Sequence, residues 1–251
     1  MNMYSKRKGL RRICAGVLDL LFPPKCIGCG VCMRAFTQHS AVLCEKCLTI
    51  WEGAHLPTDE MVCQDASESV VLPPISLVAY HSHHTQGIPE KVIFHIKHRD
   101  DGKVFYFVAA ELASSVQAVL DSRGESCRNL LITYPPRRFR AKQEDGFDQA
   151  QRLADALAVQ MGGRQICLLE RSKQGRHMAA QKKQNAKERA EKAKVAYRLK
   201  EKNASLVKGR MILLVDDVYT TGATLNSCAE LLLGAGAALV MQVTVAKTVR
   251  M

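Results

Sequence analysis

From about residue 74 onward, apolar residues along this chain alternate between two rhythms. Short apolar runs recur at ISLVAY (75–80), NLLITY (129–134), ICLLE (166–170), MILLVD (211–216) and ALVMQVTVA (238–246). Their length and aliphatic, partly β-branched content predict buried strands. Between them, apolar residues fall three and four apart. Val92, Ile93 and Ile96 do so in EKVIFHIKH (90–98), and Leu153, Leu157 and Met161 do so over 149–161. The alanine-rich stretch 104–120 and the stretch 224–233 complete the predicted helices, and Gly234-Ala235-Gly236 ends the last of them. Pro135-Pro136 stops the second strand. Strands alternating with helices predict an α/β domain with a mostly parallel sheet flanked by helices on both faces.

The first third of the chain follows neither rhythm. PPKCIGCGVCMRAFTQHSAVLCEKCL (23–48) contains two C-x2-C pairs, Cys26/Cys29 and Cys44/Cys47, with fourteen residues between them. Each pair can aim two thiolates at one point, and two pairs complete a tetrahedral sulfur site suited to Zn2+. Gly28 and Gly30 lie at the first knuckle, where a tight turn needs glycine. Free buried thiols or a redox pair are the alternative reading. Cys32 could replace Cys29 in a shifted site but ranks as a bystander, since only Cys26/Cys29 and Cys44/Cys47 give matched pairs, and His39 is a weaker candidate ligand. Cys14, Cys63, Cys127, Cys167 and Cys228 are scattered and suit core positions. A four-thiolate site has no open coordination position, so its expected role is structural: it lets a small module fold without a large core.

The expected organisation is a basic amphipathic helix over 1–22, a four-cysteine module over 23–62, a linker over 63–73 and the α/β domain over 74–251. The N-terminal segment has a basic start followed by apolar residues. Asp19 interrupts the apolar part, and Pro23-Pro24-Lys25 stands where a cleavage site would need small residues. The longest uninterrupted apolar run, Leu231–Met241, is too short and glycine-rich to span a bilayer. These features predict a cytoplasmic protein with no transmembrane segment, and a membrane-surface helix is the alternative for 1–22.

Charge adds one feature. The formal net charge is +12 over 251 residues; residues 1–12 carry +5, residues 171–202 carry +9, and the remainder sums to −2. Two basic segments on a near-neutral body suit a polyanionic partner, either phosphates or nucleic acid. The second segment has few large apolar residues and predicts a partly helical basic flap. Tyr197 is its one aromatic, so stacking on single-stranded bases is not supported. His81, His83, His84, His95 and His98 have no ligand spacing.

The chemistry concentrates at LLVDDVYTTGATLNSC (213–228). A buried strand ends on Asp216 and Asp217, and a loop of small hydroxyl residues leads directly into a helix. Ligands of open α/β sheets sit beyond the carboxyl ends of strands. A helix N-terminus offers free N–H groups to a phosphate, to which Thr220, Thr221 and Thr224 add hydroxyls and Gly222 close approach. Carboxylates would repel a phosphate but accept hydrogen bonds from sugar hydroxyls. Together they describe a site for a ribose 5-phosphate.

VDDVYTTGAT resembles the phosphoribosyl-pyrophosphate (PRPP) motif of type I phosphoribosyltransferases. The resemblance implies Asp216 and Asp217 as the groups on the ribose, and Thr220, Thr221, Gly222, Ala223 and Thr224 as the phosphate loop. A four-cysteine zinc-ribbon module ahead of such a domain resembles the ComF family of competence-associated proteins. LDLLFPPKCIGCG, YPPRRFRAKQEDGFDQAQRLADALA and the PRPP motif carry that likeness from about Leu18 to the C-terminus. It implies Tyr134-Pro135-Pro136-Arg137 as the pyrophosphate loop, with Arg137 and Arg138 on the leaving group and Mg2+ bound alongside PRPP. Two departures stand at the expected mouth of the site. Asp145-Gly146-Phe147-Asp148-Gln149 occurs where the family has Arg-Gly-Phe-Asn-Gln, and Lys192 follows Arg189 where the family has Asn. Three functions follow from the resemblance: a phosphoribosyltransferase, a single-stranded-DNA-handling protein linked to DNA uptake and a competence helicase, or a PRPP sensor without turnover.

Overall fold

Five strands form one sheet in the order β1-β7-β6-β2-β3, every neighbouring pair parallel. They are β1 (Val71–Tyr80), β2 (Leu130–Thr133), β3 (Arg164–Gln165), β6 (Met211–Tyr219) and β7 (Leu239–Thr248). This computed structural model describes residues 23–33, 42–57, 71–81, 86–138, 143–144, 146–172 and 196–249. The expected N-terminal helix over 1–22, most of the expected linker and residues 173–195 of the expected flap lie outside the described residues.

The parallel sheet needs cover on both faces, and the alternation of the central strand supplies two apolar surfaces. Met211, Leu213 and Val215 of β6 join one buried cluster; Ile212 and Leu214 join the other. Helices α2 (Ile88–His98), α3 (Gly102–Ser122) and α4 (Gln149–Gln160) cover the first face. On the second face lie α5 (Ala223–Gly234) and a two-stranded antiparallel ribbon of β4 (Leu169–Arg171) with β5 (Tyr197–Leu199). Asp101 caps α3 by accepting from the Lys103 N–H, and Pro89 sits in the first turn of α2 where no N–H is needed. At 21 residues, α3 is long and apolar enough to cross a membrane by length and composition. Its apolar stripe, including Val104, Phe105, Val108, Leu112, Val116 and Leu120, is buried in the protein core.

Two elements depart from the periodicity. The strand expected from 75 begins at Val71, Pro73 and Pro74 being accommodated where the β1–β7 register shifts between Leu72 and Ile75. The strand expected at 166–170 is not in the main sheet. Leu168 and Leu169 are both fully buried in the second cluster, and the Leu168 N–H donates to Thr133 Oγ1 at 3.2 Å. The chain therefore leaves the sheet and pairs with β5. The two described ends of the expected flap are thus a strand pair, with the Ser172 N–H bonded to the Ala196 carbonyl at 2.9 Å, followed by a 3-10 helix over Glu201–Leu206.

The cysteine module packs on the first face. Its helix α1 (Glu45–Gly53) buries Trp51 completely, and the indole N–H donates to Glu111 Oε2 of α3 at 2.6 Å. His55 Nε2 lies 3.3 Å from the same carboxylate oxygen, and its ring meets the Trp51 ring edge-on. Cys26, Val42, Leu43 and Cys47 share the cluster that holds Ile88, Val92 and Ile93 of α2. The module and the sheet's first face therefore share one core.

Candidate ribose-phosphate site and four-thiolate site

Strand lengths open the mouth of the site. Paired residues on β2 and β6 run from Leu130/Met211 to Thr133/Leu214, where Pro135 and Pro136 end β2. On its other side β6 stays paired with β7 as far as Tyr219/Lys247. Asp216 and Asp217 thus lie on a stretch of β6 with one edge released, level with the chain leaving β2. Burial falls in step: Met211–Val215 are buried, and Asp216–Tyr219 are half-buried. The acids are steadied by their own backbone. Asp216 Oδ1 accepts from the Asp217 N–H at 2.9 Å, and Asp217 Oδ1 from the Val218 N–H at 2.7 Å.

By strand alternation Asp216 shares the face of Leu214, toward α5 and the β4–β5 ribbon. Burial pushes its carboxyl well above the usual carboxylate range, and the charges of Asp217 and Asp148 push it further. Its field reaches Cys228 on α5, whose thiol is raised first by burial and then by Asp216. It also reaches Tyr197, whose phenol is pushed up to about 12 by burial, Cys228 and Asp216 against the opposing Arg171. Arg171 Nη1 donates to the Tyr197 hydroxyl at 3.0 Å, and the guanidinium lies 4.9 Å from the ring centroid.

The loop after β6 turns at Gly222, the residue before α5, with φ of +71°. That conformation is costly for any residue with a Cβ. A Cβ there would also collide with the Tyr219 hydroxyl, whose ring lies over the glycine. No side chain caps α5. The Asn226 N–H takes the Gly222 carbonyl at 2.8 Å, and the Ala223 N–H makes a long 3.4 Å contact with Thr221 Oγ1. The remaining first-turn N–H groups have no intrahelical acceptor and suit an anion. Thr220 and Thr221 are exposed and Thr224 is half-buried beside them. Gly222→Ala is expected to cost about 1–2 kcal/mol from the backbone and to displace Tyr219. Chemical denaturation and a ribose 5-phosphate titration on one preparation measure both effects.

The second loop is Tyr134–Arg138. Tyr134 is buried in the main core and its phenol is raised, by burial first and then by its hydrogen bond with Cys167. Its side chain packs; a ligand would meet its backbone. Pro135 is buried, Arg137 half-buried and Arg138 exposed. The loop is tied down by a residue that the sequence marks only as a departure. Asp148, 5% exposed, accepts the Arg137 N–H on Oδ2 at 3.1 Å and the Gln151 N–H on Oδ1 at 3.3 Å. The second bond caps α4. The pattern Asp148-x-x-Gln151 is a capping-box signature, so the cap was visible in the sequence; the tie to Arg137 was not. Gln149 Nε2 also reaches the Lys97 carbonyl, joining α4 to the end of α2.

Against known proteins, residues 145–249 match the model of the phosphoribosyl transferase domain family. Over those residues the chain is similar to phosphoribosyl transferase domains. The five-stranded parallel sheet flanked by helices is consistent with the type I fold of that family. The match takes in β6, the acids and the threonine loop; Tyr134, Arg137 and Arg138 precede it. No curated protein matches the chain. A matching solved structure is TT1426 from Thermus thermophilus, at 18% identity and a TM-score of 0.32, over 59% of this chain and 84% of that one.

The four thiols come together as the C-x2-C spacing predicts. Cys26, Cys29, Cys44 and Cys47 place their Sγ atoms all within 4.8 Å of one another, with Cys29 and Cys44 at 3.6 Å. Tetrahedral zinc with Zn–S bonds near 2.3 Å requires S···S edges of about 3.8 Å, so the four thiols fit zinc. Gly30 takes φ of +76° to close the first knuckle, and Gly28 lies so close that an added Cβ would sit 2.8 Å from Cys47 Sγ. Burial pushes the Cys26 thiol up. The Cys44, Cys29 and Gly28 N–H groups with the Cys29 thiol outweigh it and bring it to about 6. The Cys47 thiol is raised, by burial first and then by the other three sulfurs. Cys32 is exposed, in an isolated bridge with Lys25 and outside the group of four. His39 lies outside the described residues.

Proposed function

We propose that the chain binds a ribose 5-phosphate moiety, as PRPP or a related ribose phosphate, at the mouth formed by β6, the Thr220–Thr224 loop and the Tyr134–Arg138 loop. The observation that carries this reading is the pair Asp216–Asp217 on the released edge of β6, directly before an uncapped helix N-terminus. In this reading Asp216 and Asp217 accept the ribose hydroxyls. The N–H groups at the start of α5, with Thr220, Thr221 and Thr224, hold the 5-phosphate. Gly222 and Ala223 keep the loop low enough for contact.

A phosphoribosyl transfer is the catalytic form of the same proposal. It requires the sugar to be held while pyrophosphate departs from C1 and positive charge develops on the ring. Asp216 and Asp217 would accept from the ring hydroxyls past the end of the paired strand, and Arg137 and Arg138 would stand toward the leaving group. Asp216 and Asp217 are the groups that would face Mg2+, which would neutralise a diphosphate when bound. The four-cysteine module, by its shared core with α2 and α3, is read as a structural zinc ribbon of the ComF kind. None of the described cysteines is in a disulfide, which suits a reducing, cytoplasmic setting. The DNA-uptake and helicase readings rest on the two basic segments, of which 1–12 and 173–195 lie outside the described residues.

The test is calorimetric titration of ribose 5-phosphate and of PRPP, each with Mg2+, into zinc-loaded protein. Saturable binding of either supports the site. A folded protein that binds neither overturns it.

A further inference from the structure

The Tyr134–Arg138 side of the mouth, read above as the side of the leaving group, already holds a carboxylate of the protein's own. Asp148 is buried, and its two carboxylate oxygens are both engaged: Oδ2 by the Arg137 N–H at 3.1 Å, Oδ1 by the Gln151 N–H at 3.3 Å. An N–H of the Tyr134–Arg138 loop is therefore taken up by this carboxylate, when a diphosphate docking there would need such donors. The charge is also close enough to bear on its neighbours. Asp148 adds to the upward push on the Asp216 carboxyl and on the Tyr134 phenol. A diphosphate at C1 would meet an N–H already taken by Asp148 and would bring its negative charge toward that carboxylate, in a partly desolvated mouth where like charges repel strongly. Among the described residues the other half of the mouth has no such resident. The start of α5 carries no side-chain cap.

The two halves thus differ in what they accept. We propose that Asp148 is a specificity-determining residue that occupies the Arg137 N–H as an internal anion. It directs the site toward ribose 5-phosphates with an uncharged group at C1, and against PRPP. This rests on the ribose 5-phosphate reading above and deepens it by naming the ligand class: a 5′-phosphorylated ribose or nucleoside monophosphate.

Asparagine separates the two duties of Asp148. Its single carbonyl oxygen can still cap α4, a position asparagine fills well. Its amide NH2 cannot accept from Arg137, and the charge is gone. The experiment titrates ribose 5-phosphate and PRPP, both with Mg2+, into the full zinc-loaded chain and into Asp148→Asn. The wild type is expected to bind ribose 5-phosphate at least as tightly as PRPP. Asp148→Asn is expected to shift the ratio of the two affinities about tenfold toward PRPP. A wild type that prefers PRPP, or a substitution that leaves the ratio unchanged, overturns this inference while leaving the ribose 5-phosphate site intact. Failure of both ligands to bind overturns that site and the inference with it. Should Asp148→Asn not fold, the wild-type ratio decides alone.

Discussion

Stripping the metal from the four-thiolate site moves the fluorescence of Trp51 to longer wavelength and removes a large share of the protein's stability. Trp51 is the single tryptophan of the chain, so the signal has one source. It is fully buried, four residues after Cys47 on α1, with its indole N–H held by Glu111. The module has little core of its own; Val42, Leu43, Cys26 and Cys47 are buried by docking on α2 and α3. Without a cation, four sulfurs within 4.8 Å must either stay protonated or repel one another. Structural zinc sites of this kind contribute about 10–16 kcal/mol of apparent binding free energy in small modules, more than most domains have in total. Chelation followed by emission and thermal melting is the measurement, and Cys47→Ser should reproduce the chelated state. Unchanged Trp51 emission after complete metal removal would show that docking on α3 alone holds the module.

Asp216→Asn abolishes ribose-phosphate binding and, at neutral pH, makes the protein more stable. The binding loss is expected to reach about a hundredfold, since the sugar hydroxyls and a cation favour the ionised carboxyl on binding and asparagine offers them no charge. The stability gain follows from the raised Asp216 carboxyl. In the unfolded chain this group ionises near 3.8; in the fold, burial and then Asp217 and Asp148 hold it protonated to a higher pH. Below its ordinary value both states are protonated, and the fold keeps its full stability. As pH rises from there through the raised value, the unfolded chain loses its proton more readily than the fold, and stability is lost. Asparagine does not ionise, so the variant escapes that loss. The difference in melting midpoint between variant and wild type should be smallest near pH 4 and grow toward pH 7. The gain is read as a rise in melting midpoint, about 2–4 °C for each kcal/mol in a domain this large. Melts across that pH range check it; a gain that stays flat with pH would mean that Asp216 is ionised without cost. The pairing of lost binding with gained stability is what a functional carboxylate predicts and a structural one does not.

The division between sequence and tertiary structure runs along distance in the chain. Strand and helix identities were legible because each depends on a few neighbours: the apolar run of β6, the three-four spacing of α2 and α4, the Gly-Ala-Gly stop after α5. The same holds for the motif that ends β6 and for the two C-x2-C pairs, whose spacing alone lets each pair aim at one point. Strand order was not legible. β1 pairs with β7 through contacts such as Ser76–Thr244, whose hydroxyls meet at 2.7 Å across 168 residues, and no local pattern encodes that register. Nor did periodicity separate β4 from the main sheet, because a run such as ICLLE reads alike in a core strand and in a ribbon beside it. Asp148 illustrates the boundary within one side chain. Its cap on Gln151 spans three residues and is written in the sequence. Its bond to Arg137 and its upward push on the Asp216 carboxyl exist only because α4 packs where β2 ends. Residue type and local spacing were enough to name the groups that could do chemistry. Which of those groups share one electrostatic environment came from the packing, because Coulomb interactions and hydrogen bonds depend on separation in space.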